Sequence, residues 1–212
     1  MCLWAGRGTA VAINTFMRTV LKALSYPDLD IKKNYKLLRQ MELITHRNYF
    51  KPLSPYKTWD HRVTCGDHEV PVRIFSPGDR PEGYPLLIFF HGGGWVMGNI
   101  DSYDRVCTHM AQATQRLVVS VDYQLAPEHP FPHGLEDCYE VTREIFLDEA
   151  LFGNVTDEIV LIGDSAGGNL AAAVSLMARD RGEFLPKKQI LIYPATYNDH
   201  SPDSPFASIR EN

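Results

Sequence analysis

The sequence predicts an α/β protein: a mostly parallel sheet with helices on both faces, preceded by a helical segment. Three observations predict it. Short, uninterrupted apolar runs recur along the chain, as expected for strands buried on both faces. Stretches with helical spacing of apolar residues lie between them. Glycine-rich turns stand where two of the apolar runs end.

The elements follow in order. Ile13, Phe16, Met17, Val20, Leu21 and Leu24 share one helical face, and Arg7, Asn14, Arg18 and Lys22 interrupt any signal-peptide-like run. A second helix starts after Asp28 or Asp30, with a stripe of Ile31, Tyr35, Leu38 and Met41. Pro52 and Pro55 end it, so residues 1–55 read as a helical cap and residues 56–212 as the core, one structural domain overall. Two short strands, near 57–64 and 69–75, flank a Gly66-Asp67 turn. The apolar run Leu86 to Phe90 opens the alternating part, followed by a helix over 102–115 and a strand over Leu117 to Val121. A helix over 135–147, a strand over 159–162, an Ala-rich helix over 169–179 and a strand over 190–193 complete the pattern.

Composition narrows the function. Of 212 residues, 44% are apolar and 22% charged, the balance of a globular domain that needs no metal or disulfide to fold. A net charge of −5 without a basic stripe argues against nucleic-acid binding. Cys2, Cys65, Cys107 and Cys138 form no C-x-x-C pair, which suggests reduced thiols and a cytoplasmic protein. His129 and His133 are four apart, but Pro130 and Pro132 between them prevent a regular helix, so no metal site is expected. No segment is long and apolar enough to span a membrane, and no phosphate-binding glycine motif is present.

Two motifs carry chemistry. Gly163-Asp164-Ser165-Ala166-Gly167 matches G-x-S-x-G between a predicted strand and a predicted helix. Such a turn is too tight for flanking side chains, presents the serine oxygen at the sheet edge, and aims a helix N-terminus at the developing negative charge. His91-Gly92-Gly93-Gly94-Trp95 follows the first buried strand and leaves backbone N–H groups uncovered for an oxyanion. G-x-S-x-G alone arises by chance in roughly one chain of this length in fifteen, so the pairing of both motifs at strand ends carries the argument.

A third segment, Asp122-Tyr123-Gln124-Leu125-Ala126-Pro127-Glu128-His129-Pro130-Phe131-Pro132, joins them. HGGGW, DYxLAPEHPFP and GDSAGGNL in this order resemble the hormone-sensitive-lipase family of α/β-hydrolases, over about residues 70–196. The resemblance implies an α/β-hydrolase fold and hydrolysis of short-chain carboxylic esters without a cofactor. It implies Ser165 as nucleophile and Gly92, Gly93 and Ala166 as oxyanion donors, with His91, Gly94, Gly163, Asp164 and Gly167 as motif support. His91 is expected to shape the loop, and Trp95 and Phe131 to pack near the pocket. The family usually has Arg where Gln124 stands, which removes a structural ion pair and not catalysis.

The triad acid and histidine of this family follow the nucleophile on later strands. After Ser165 the chain offers Asp180, Glu183, Asp199, His200 and Asp203, of which Asp199 and Asp203 fit an acid, while His200 beside Asp199 is poorly placed as a base. The expectation is a fragment of a longer esterase, nearly inactive alone, with the strand near Ile190 left as an apolar edge. An amide-cleaving deacetylase is a sister reading. The alternative from another class is a non-catalytic small-molecule binding module on the same fold, as in plant gibberellin receptors.

Overall fold

The computed structural model describes residues 31–49, 57–78, 84–148 and 155–196. The helix expected before residue 24, and Asp199, His200 and Asp203, lie outside the described residues. Two compact units are distinguished, Met1–Tyr35 and Lys36–Asn212. Of the first, only residues 31–35 are described, as the opening turn of helix α1 (Ile31–Tyr49).

The second unit is built on a six-stranded sheet in the order β1-β2-β4-β3-β5-β6. Strands β1 (Thr58–Cys65) and β2 (His68–Phe75) form the antiparallel hairpin that Gly66-Asp67 predicts, with Cys65 opposite His68. Strand β2 also runs antiparallel to β4 (Leu117–Val121). Strands β3 (Tyr84–Phe90), β4, β5 (Val155–Asp164) and β6 (Lys188–Ile192) are mutually parallel.

The apolar run of β3 is divided by its own pleat. Leu86, Ile88 and Phe90 point to one face, Leu87 and Phe89 to the other, and all five are buried. Helix α2 (Ile100–Thr114) covers the second face with Cys107 and Ala111. Helices α3 (His133–Leu147) and α4 (Ala166–Arg181) cover the first with Tyr139, Val141, Leu170 and Val174. The strand burial explains why these segments read as unbroken apolar runs.

The helix starts differ from the sequence expectation for identifiable reasons. Helix α2 begins at Ile100 because Asn99 caps it, its side chain accepting from Ser102 N while Ser102 Oγ accepts from Asn99 N. Ser102 is thus the third residue of a capping box and not the cap. Helix α4 begins at Ala166, through two glycines that propensity alone would leave outside it. Cys65, Cys107 and Cys138 are buried free thiols, and burial pushes Cys65 and Cys107 up to about 12.

Strand order turns around at β3. The chain goes from β3 to β4 on one side, then to β5 on the other. The carboxyl ends of β3 and β5 therefore meet at a topological switch point, where ligands bind in open α/β sheets.

Candidate active site

The two motifs are brought together by register. Phe90 pairs with Gly163, so the loop leaving β3 and the turn leaving β5 start side by side. Ser165 stands between β5 and α4 with φ 51° and ψ −114°, a backbone conformation that costs of order 1–3 kcal/mol for a non-glycine residue. Its surroundings hold it there. Ser165 N donates to Ile192 O at 2.9 Å, and Ser165 O accepts from Ala195 N at 2.9 Å and Asn169 N at 3.1 Å. A Cβ on Gly167 would overlap the Phe90 carbonyl, and one on Gly163 would overlap the Gly167 carbonyl group. The glycines of the motif are thus demanded by contact between β3, β5 and α4.

Opposite the turn runs the loop His91 to Asn99. Gly93, Gly94, Trp95 and Gly98 have φ of 117°, 63°, 61° and 89°. Gly93 O accepts from Met97 N at 2.9 Å, which curls the loop. Gly92 N is already engaged. It donates to Asp164 Oδ1 at 2.9 Å and approaches Tyr103 Oη at 3.2 Å. Gly92 N, expected from the sequence as an oxyanion donor, is thus hydrogen-bonded to the Asp164 carboxylate in this structure. Gly93 N and Gly94 N make no such hydrogen bond among the described residues.

Asp164 is the link between motifs. Its carboxylate accepts from Gly92 N, from Tyr103 Oη at 3.0 Å, and more distantly from Tyr193 Oη at 3.5 Å. Tyr103 lies on α2 and was not singled out by sequence reasoning. Burial, then the neighbouring Asp164 charge, raises its pKa, so it stays a neutral donor.

His91 is fully buried, stacked on Tyr123 at 4.3 Å between ring centroids. Desolvation lowers its pKa to about 4, so the ring is neutral near pH 7. Its Nδ1 lies 2.8 Å from Gly92 O, and a carbonyl only accepts, so the proton sits on Nδ1. Tyr123 Oη donates to His91 O at 2.7 Å. This is a side chain that shapes the loop.

A cavity of about 350 Å³ opens at Gly94 and Trp95 and runs along α4 past Leu170 and Ala173, with Gln124 and Leu135 on its far wall. Trp95 and Phe131 both line it, but Phe131 is 84% exposed and forms its rim instead of packing inside. Gln124 N donates to the buried Asp137 at 2.7 Å. His133 Nδ1 contacts Pro130 O at 2.6 Å, and among the described residues no group of three or more His, Cys, Asp or Glu is placed to hold a metal ion. No described helix is long and apolar enough to cross a membrane. No described histidine is hydrogen-bonded to Ser165.

A twisted, mainly parallel sheet with a strained serine at a strand-to-helix turn, faced by a glycine loop on the adjacent strand, defines the α/β-hydrolase class. Comparison agrees: the alpha/beta hydrolase fold family matches residues 87–211. Carboxylesterase NlhH of Mycobacterium tuberculosis is 41% identical over 133 residues, 63% of this chain and 42% of the relative. Esterase LipI of the same organism is 41% identical over 143 residues, 66% of this chain and 43% of the relative. The structure of a hyperthermophilic esterase from the archaeon Pyrobaculum calidifontis superimposes with a TM-score of 0.75 at 36% identity, covering 90% of this chain and 60% of the other. The chain belongs to the α/β hydrolase fold family, in its hormone-sensitive-lipase branch. It spans less than half the length of these two curated relatives.

Proposed function

We propose that this chain carries the nucleophile and oxyanion hole of a serine carboxylesterase acting on short-chain esters. The observation that carries the reading is the strained backbone of Ser165, held at a helix N-terminus opposite the glycine loop. Strain at one polar residue, maintained by several hydrogen bonds, marks a position where geometry serves chemistry.

In this reading Ser165 Oγ attacks the ester carbonyl and a tetrahedral oxyanion forms. The N–H groups of Gly93, Gly94 and Ala166 receive it, and the N-terminus of α4 adds its partial positive charge. The alcohol leaves, and water then releases the acyl group from Ser165. The cavity beside Gly94 suits a small apolar part of the ester. No cofactor takes part. The base that accepts the serine proton, and the acid that orients it, are proposed to lie outside the described residues, consistent with the order serine, acid, histidine.

The test is hydrolysis of p-nitrophenyl acetate, butyrate and hexanoate. The full-length protein should turn them over, and Ser165→Ala should remove about 10⁴-fold or more of the rate. The 212-residue chain alone should be slow. Equal turnover by wild type and Ser165→Ala would sink the reading. Saturable binding of the esters without turnover by the full-length protein would favour a binding module.

A further inference from the structure

The glycine loop contains a conformation that does not hold itself. Trp95 sits at φ 61°, a backbone region disfavoured for a residue with a Cβ, and three glycines around it also have positive φ. Within the loop, Gly93 O takes the N–H groups of Val96 and Met97. The other ties come from outside. Trp95 O accepts from Ala126 N at 2.9 Å. Val96 O accepts from Arg39 Nε at 2.7 Å, and Gly98 N donates to Glu42 Oε2 at 3.3 Å.

Arg39 and Glu42 are three apart on α1 and so lie on one helical face. Arg39 does more than touch the loop. Its Nη2 donates to Ala126 O at 2.8 Å, and its Nη1 donates to both carboxylate oxygens of Glu128 at 3.0 and 3.1 Å. Ala126 is the residue whose N–H holds Trp95 O, so a closed ring forms: Trp95 to Ala126, Ala126 to Arg39, Arg39 to Val96. The planar guanidinium has the several donors at fixed angles that such a ring needs, and an ammonium does not. Glu128 orients the guanidinium from the open side, with its own side chain 40% exposed against 23% for Arg39.

We propose that Arg39 is a positioning residue for the oxyanion hole. It clamps the strained turn Gly93 to Gly98 against the 126–128 segment and thereby sets the direction of the Gly93 and Gly94 N–H groups. It touches no reacting atom. The proposal rests on the esterase reading for its catalytic consequence, but not for the clamp itself.

Two measurements test it. Amide hydrogen exchange on the full-length protein should show Arg39→Ala raising exchange at residues 93–98 and 126–128 by about tenfold, with β3 and β5 unchanged. In the full-length protein Arg39→Ala should lower kcat on p-nitrophenyl butyrate by about 10- to 100-fold with KM nearly constant, because small misplacement of a donor acts on the transition state. Arg39→Lys should recover little. Added guanidinium ion should restore part of the Arg39→Ala loss, with sodium at equal ionic strength restoring none. Glu128→Gln, which leaves the bonds to Val96 and Ala126, should have a smaller effect. The proposal is overturned by unchanged exchange at 93–98, by a rise in KM with kcat intact, or by faster exchange throughout the sheet. If Ser165→Ala is as active as wild type, the esterase reading falls, and exchange alone decides the clamp.

Discussion

The nucleophile turn and the glycine loop face each other, yet they are held in different ways. The turn at Ser165 is fixed by backbone against backbone. Its hydrogen bonds are main-chain to main-chain, and its glycines are required because carbonyl groups of β3 and α4 occupy the space a Cβ would take. The loop after β3 is fixed largely by side chains from elsewhere: Asp164 from β5, Tyr103 from α2, and Arg39 and Glu42 from α1. A backbone-built feature tolerates almost no change at its own positions. A side-chain-built feature can be loosened one tie at a time while the sheet stays intact.

The first way to sharpen this contrast is to attack the turn. Gly167→Ala places a methyl group inside the Phe90 carbonyl, where the only relief is to pull α4 away from β3. Overpacking of that kind should cost about 3 kcal/mol or more, because neither neighbour is a flexible side chain. Urea denaturation would show a large fall in midpoint, or no folded protein at all. A midpoint close to wild type would mean that the strand–helix contact is looser than the register implies.

The loop should respond in steps. Asp164→Ala removes the acceptor of both Gly92 N and Tyr103 Oη, and should lower stability by about 2–3 kcal/mol, since both bonds end on a carboxylate. Tyr103→Phe removes one of them and should cost about 1 kcal/mol. Both variants should raise amide exchange at Gly92 more than at Ile162 or Gly163. A uniform rise would contradict the idea that the loop is an independently tied unit.

The same contrast explains what the sequence shows and what it hides. Gly163, Ser165 and Gly167 are legible because the constraint is local: a spacing of two residues encodes one turn. The strands are legible because burial on both faces selects apolar residues, as in Leu86 to Phe90, and β4 keeps the pattern with Ser120 as its one polar member. Tyr103 and Arg39 are not legible. They lie 61 and 57 positions from the groups they hold, Asp164 and Val96, and nothing in their neighbourhood marks them. The partner of Gly92 N is hidden for the same reason: a glycine run reveals uncovered N–H groups, but only the fold reveals the bond from the first of them to Asp164. Helix α2 starts two residues before the expected 102 because Asn99 caps it in a box shared with Ser102.

The smallest predicted effect concerns the outermost support of the loop. Gln124 N, in the segment that leads to Ala126, donates to Asp137, which is buried and also accepts from His68 Nε2 at 2.7 Å. The hydrogen bond to Asp137 is the main cause that raises the His68 pKa above its ordinary 6.5, and Asp67 at 3.3 Å adds to it. A raised pKa in the folded state means that the folded protein holds this proton more tightly than the unfolded chain does. The stabilisation is therefore complete below pH 6.5 and is lost as pH rises through the folded-state value. His68 is 36% exposed, and solvent screening keeps the gain below about 1 kcal/mol. Comparing urea midpoints of wild type and His68→Gln at pH 5.5 and pH 8.5 isolates it: the wild-type advantage should shrink at the higher pH, because Gln can donate to Asp137 but cannot titrate. An advantage that stays constant with pH would place the proton on Nε2 in a neutral ring and make this support independent of charge.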